Sequence, residues 1–204
     1  MSGLPAAAVR SILLVAAFSL VPVEARAHAP IAGLGGFYNG LLHPLLVPGH
    51  LLSLVAAGLL IGRRERHRAI AALIGVPPAL VAGLVVTALG PLPPSDALPM
   101  AVAAVLGVAV ALDVQPPAVA LRLAALAAGF VVGWDSGTDE PGLRAAALSG
   151  AGVVLGAFYV AVVAAALALA RRHPWQDIAV RVAGSWIAAS ALMVLALAAT
   201  RPGP

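Results

Sequence analysis

Two histidines seven positions apart, His43 and His50, lie inside the apolar run Phe37–Gly62, with Pro44 beside the first and Pro48-Gly49 beside the second. Neutral imidazole is a common ligand for nickel, copper and zinc. A polar ring in so apolar a stretch is costly, which makes it a functional candidate. On an unbroken helix, residues seven apart share a face but stand two turns, about 10 Å, apart, so one small ion cannot take both. Proline removes a ladder hydrogen bond and glycine admits unusual dihedrals. A break at Pro48 and Gly49, in a re-entrant or interrupted segment, would bring the two rings within one site. The residues alone leave two readings open. In one the rings hold a cation, and in the other they hydrogen-bond carbonyls freed at a kink. Further donors for a shared ion would be the Asn39 side chain, the Pro44 carbonyl, the His28 amine, and Asp135 or Glu140.

Other candidate ligands are more scattered. His28, as a free N-terminus, could chelate copper or nickel through its amine and ring. Asp135, Asp139 and Glu140 form an acidic run that would collect cations at a pore mouth, although such runs are commonly just solvated. Asp135-Ser136-Gly137-Thr138 matches the short string of aspartic proteases, but those enzymes need two such carboxylates on a β-rich scaffold, so the match is read as coincidence. His67 and His173 sit among arginines and are read as solvated. With no cysteine in the chain, disulfides, thiolate metal sites and cysteine nucleophiles are excluded. No phosphate-binding loop and no metalloprotease helix motif occurs, so an enzymatic role is not expected, and any transport would draw on a gradient or a partner.

The elements that must position these residues follow from composition. Of 204 residues 62% are hydrophobic and 10% charged, and the mean hydropathy is +1.03. A soluble domain carries roughly 25% charged residues, so lipid is the solvent for most of this surface. Six apolar segments are predicted to span: Phe37–Gly62, Ala69–Leu89, Leu98–Leu112, Ala118–Trp134, Leu143–Ala170 and Ile178–Thr200. The third and fourth are short for a crossing that takes roughly 20 residues, and both could gain length from the linker Asp113–Pro117. Ahead of them Arg10, the apolar Ser11–Val23 and Ala25-Arg26-Ala27 have the layout of a signal peptide cleaved after Ala27. The expected fold is therefore all-α: residues 1–27 as signal peptide, then 28–204 as one integral membrane bundle of about six helices.

Charge orients that bundle. All twelve basic residues are arginine. Arg63, Arg64, Arg66, Arg68, Arg171 and Arg172 occupy the loops after the first and fifth spans, with Arg122 and Arg181 near the same side. Asp96, Asp135, Asp139 and Glu140 occupy the opposite loops, with only Arg144 and Arg201 as basic company. Basic residues cluster on the cytoplasmic side of membrane proteins, which places both mature termini outside. The net charge of +4 is thus a topology signal rather than a nucleic-acid footprint.

The stretch around His43 and His50 resembles the signature of the HupE/UreJ family, membrane proteins associated with hydrogenase and urease maturation and regarded as nickel permeases. That family shows a signal peptide, a mature N-terminus near a histidine, about six spans, and in the first span a motif of the form H-P-x-x-G-x-D-H. His43, Pro44 and His50 keep the pattern, whereas Val47 stands where the motif has glycine and Gly49 where it has aspartate. The family's His-rich stretch after the fourth span is here Gly133–Glu140, with carboxylates and no histidine. The resemblance implies a bacterial inner-membrane secondary permease for a divalent transition metal, nickel foremost, with maturation proteins as partners. Its ligands would be His43 and His50, supported by His28, Asp135, Asp139 and Glu140. The departures shift the donor set towards oxygen, and they predict that restoring the carboxylate through Gly49→Asp strengthens binding. A non-transporting membrane subunit whose histidines only brace a kink is the alternative.

The arginine asymmetry generates a direct prediction. In intact cells a membrane-impermeant thiol reagent should label Asp139→Cys and spare Arg66→Cys, the cysteine-free chain giving a clean background, and N-terminal sequencing should begin at His28. The reverse labelling pattern would overturn the topology.

Overall fold

In a hydrocarbon solvent every backbone N–H and C=O must find its partner within the protein, and a helix meets that demand locally. The structure, a computed structural model, describes residues 33–90, 95, 97–137 and 142–200. Among them the chain forms eight helices and no strand: α1 (Gly36–Leu46), α2 (Pro48–Gly62), α3 (Arg66–Leu73), α4 (Val76–Ala88), α5 (Ala97–Ala111), α6 (Ala118–Asp135), α7 (Leu143–Leu169) and α8 (Pro174–Thr200). The signal-peptide segment, His28, Asp139 and Glu140 lie outside the described residues.

Among the described residues four stretches are long and apolar enough to cross a membrane: Arg66–Ala88, which joins α3 and α4, and then α6, α7 and α8. The pair α1 and α2, bent by 70° at its break, makes a fifth if counted as one span. The fifth helix, α5, is apolar but has 15 residues. The expectation that it borrows length from Asp113–Pro117 is not met. Asp113 adopts a left-handed φ of 57°, and Pro116 and Pro117 follow, so the helix stops at Ala111 and the next begins only at Ala118. Nor is Phe37–Gly62 one helix, and α8 begins at Pro174, a turn before the expected Ile178.

Small residues set the packing. Without a hydrophobic force between helices in lipid, association depends on close backbone approach at glycine and alanine. A side chain on Gly62 would overlap the Ala165 carbonyl, one on Gly133 the Leu80 carbonyl, and one on Gly107 would press on the backbone of Gly184 and Ala188. The same contacts give helix directions. Gly58 faces Ala161 and Gly62 faces Ala165, so α2 and α7 run parallel. Gly129 faces Val76 and Gly133 faces Leu80, so α4 and α6 run parallel. Gly107 meets Ala188 while Val110 meets Gly184, so α5 and α8 run antiparallel. The outward faces carry Val105, Leu123, Leu167 and Trp186, each more than half exposed, as a lipid-facing surface requires. Leu54, Ile61, Leu80, Leu121 and Val132 fill the interior.

One end of the bundle is tied by arginines. Arg63 pairs with Asp113 and donates to the Val110 carbonyl at 3.0 Å. Arg64 reaches Gln115 Oε1 at 2.7 Å, and Arg181 reaches the Ala111 carbonyl at 3.0 Å. Arg171 binds Asp177 Oδ1 at 2.6 Å and the Ala168 carbonyl. The guanidinium groups thus bond carbonyls near the ends of α5 and α7, where helices leave orphan acceptors.

Candidate metal site

The break between α1 and α2 begins with a missing donor. Pro48 has no N–H, so the Pro44 carbonyl has no amide to receive at the position where a helix would supply one. The proline ring also crowds the residue before it and disfavours helical dihedrals there. Val47 accordingly is extended, with φ −89° and ψ 112°. The break therefore falls at Val47, one residue ahead of the expected Pro48-Gly49. Pro48 opens α2 at the first helical position, where its lack of an N–H costs nothing.

The packing of α7 shows what the break does to the chain. The Leu41 carbonyl faces Gly156 and Gly58 faces the Ala161 carbonyl, so seventeen residues of α1 and α2 pass while α7 advances five. At about 1.5 Å per residue a straight helix would advance about 25 Å, against about 7.5 Å along α7. The intervening chain runs across the bundle instead. In that crossing His43 and His50 come together, their ring centroids 5.1 Å apart with planes inclined at 59°.

His50 is fully buried at the start of α2, and its Nε2 lies 2.8 Å from Asp135 Oδ2. A carboxylate in its ionised form only accepts, so this contact matches the tautomer in which Nε2 donates and the lone pair is on Nδ1. Asp135 was expected in an exterior loop beyond the fourth span. Instead α6 continues through Asp135, which is 4% exposed. Its last turn is held from both sides. Thr87 Oγ1 on α4 bonds the Trp134 carbonyl, and Ser136 Oγ donates to the Val132 carbonyl at 2.6 Å. Gly133 lies directly against the Leu80 backbone. Asp135 Oδ1 is buried and has no hydrogen-bond partner among the described residues. The indole N–H of Trp134 is likewise buried.

The structure thus brings together three of the expected residues, His43, His50 and Asp135. They meet as a chain of neighbours rather than a cage. Among the described residues no three His, Cys, Asp or Glu side chains are grouped so as to hold an ion. Asn39, another of the proposed donors, bonds the Leu34 carbonyl at 2.9 Å through its amide. His67 stands in the arginine-rich turn beside Glu65, at 3.4 Å, well exposed as expected. What the sequence did not reveal is that Asp135 faces His50. The two are 85 positions apart, and only the register of α6 against α2 joins them.

A bundle of apolar helices with a histidine pair near one end, its second ring buried against a carboxylate, defines the class: a multi-pass helical membrane protein with a polar cluster among its helices. Residues 15–194 match the model of the HupE / UreJ protein family, and the chain belongs to that family. No curated protein and no solved structure matches it.

The buried His50–Asp135 pair generates a stability prediction. Removing one partner of this buried hydrogen bond leaves the other unsatisfied, a loss of about 1–3 kcal/mol and more for the charged carboxylate. His50→Leu and Asp135→Leu should each lower the unfolding midpoint in detergent, and the double variant should lose less than the two together. The coupling should be about 0.5–3 kcal/mol. Strictly additive losses would show that the contact is not formed.

Proposed function

We propose that this HupE/UreJ protein is a secondary permease of the bacterial inner membrane that carries a divalent transition metal, nickel foremost, to support maturation of metalloenzymes. The observation that carries the proposal is the meeting of His43 and His50 at the helix break. Two imidazoles brought close to each other, in a bundle whose interior is mostly apolar, offer nitrogen donors that suit nickel, copper and zinc better than magnesium or calcium. Interrupted helices with binding groups at the break are the usual construction of substrate sites in secondary transporters.

Transport also favours a sparse site. An ion that must leave cannot be held by a complete set of good ligands. Two rings and a neighbouring carboxylate fit a transient stop better than a storage site. In this reading Asp139 and Glu140 gather cations at the outer mouth and His28 begins the mature chain beside them. The arginine end of the bundle faces the cytoplasm, both mature termini face outside, and the metal is the substrate. Family membership supports a role in metal handling rather than catalysis.

A second reading has its own support. His50 is already engaged with Asp135, and no three-donor cluster forms among the described residues. On that reading the chain is a membrane subunit or assembly factor whose histidines hold the break in place.

Metal titration separates the two. The purified protein should bind nickel, and His43→Ala and His50→Ala should abolish binding and cellular nickel uptake while the bundle stays folded. Equal binding by the wild type and His50→Ala would leave the structural reading standing.

A further inference from the structure

The first-span motif of this chain lacks its aspartate, Gly49 standing in that place. The surroundings show why a carboxylate is not simply missing there. A Cβ on Gly49 would lie 3.2 Å from Pro99 Cβ and 3.7 Å from the Met100 side chain, so this face of α2 is packed against apolar groups of α5. A carboxylate at that position would enter this apolar contact, and burying a charge among apolar groups is unfavourable. The packing is the reason to look elsewhere than position 49 for the carboxylate.

A carboxylate nevertheless reaches the second histidine, from another helix. Asp135 Oδ2 is 2.8 Å from His50 Nε2, with both side chains almost wholly buried. Histidines that bind metals commonly give their other ring nitrogen to a carboxylate, which fixes the tautomer and raises the basicity of the ligating nitrogen. We propose that Asp135 is a positioning residue that supplies, from α6, the carboxylate absent at Gly49, and so presents Nδ1 of His50 to a divalent transition-metal cation. This rests on the permease reading for its cargo, though not for its geometry.

Three features suit Asp135 to the task. Thr87 and the Gly133–Leu80 contact immobilise the turn that carries it. The neighbouring Ser136 hydroxyl is committed to the Val132 carbonyl and does not compete for the carboxylate. The second oxygen, Oδ1, is buried with no hydrogen-bond partner among the described residues, which leaves it able to accept from a water carried in by a hydrated ion. The arrangement has a structural consequence. A carboxylate at position 49 would lie on the same helix as the histidine it orients. Here the histidine and its orienting group lie on α2 and α6, so the binding geometry depends on how those helices are registered.

Nitrogen NMR of histidine-labelled, metal-free protein, with His50 assigned by substitution, reads the pairing directly. The wild type should show a protonated Nε2, and Asp135→Ala should lose that preference. An Nε2 bearing the lone pair in the wild type overturns the proposal. Nickel titration of Asp135→Asn, which keeps the side-chain shape and removes its charge, should give affinity about 10- to 100-fold weaker in a variant that still folds. Affinity equal to the wild type also overturns it. If instead the wild type and His50→Ala bind nickel alike, it is the permease reading that falls, and the protonation of Nε2 still decides the role of Asp135.

Discussion

Position 48 has no amide hydrogen to donate, and that absence falls in a segment that an apolar solvent would otherwise hold as one helix. Water cannot repair a lost ladder bond inside lipid. The protein therefore resolves the break by turning the chain through 70° at Val47 and restarting the helix with Pro48 at its first position. The placement of the site depends on this. The bend converts a separation of two helical turns into rings 5.1 Å apart, and it brings His50, at the head of α2, to the end of α6 where Asp135 stands. A histidine in mid-helix would have neither neighbour.

Around that break the bundle is built to be thin and rigid. Alanine and glycine on facing helices allow backbone contact between α2 and α7 and between α4 and α6, with little side-chain volume between them. Such contacts constrain sliding, because a shift by one residue would replace a glycine with a larger neighbour at the point of closest approach. Thr87 adds a polar tie near the C-terminal ends of α4 and α6, and Arg63, Arg64 and Arg181 tie the helix ends on the other side. The polar site lies beside the Thr87 tie, which holds the turn that carries Asp135.

Much of this was legible in the residues. The low charge and the length of the apolar runs defined the class, and the arginine clusters mark the end where Arg63, Arg64, Arg171 and Arg181 bond helix-terminal groups. The helix-breaking role of the Pro44–Pro48 region was legible because a missing N–H is a local property. Other features were not local. Nothing near Asp113 announced the left-handed turn that stops α5 and denies it the linker. Asp135 read as the first residue of an exterior acidic run because the residues after it are polar. It is buried because Leu80, Thr87 and His50, from two other helices, surround that end of α6. The vacancy at Gly49 looked like a loss until the packing of Pro99 and Met100 and the approach of Asp135 were seen together.

The central claim is that the helix break brings His43 and His50 to one ion. X-ray absorption spectroscopy of the nickel-loaded protein tests it most directly, since outer-shell scattering from imidazole carbons counts the coordinated rings. The account predicts two imidazoles in the wild type and one in His43→Ala, with Gly49 unaltered in both. An identical imidazole signal in the wild type and His43→Ala would contradict it.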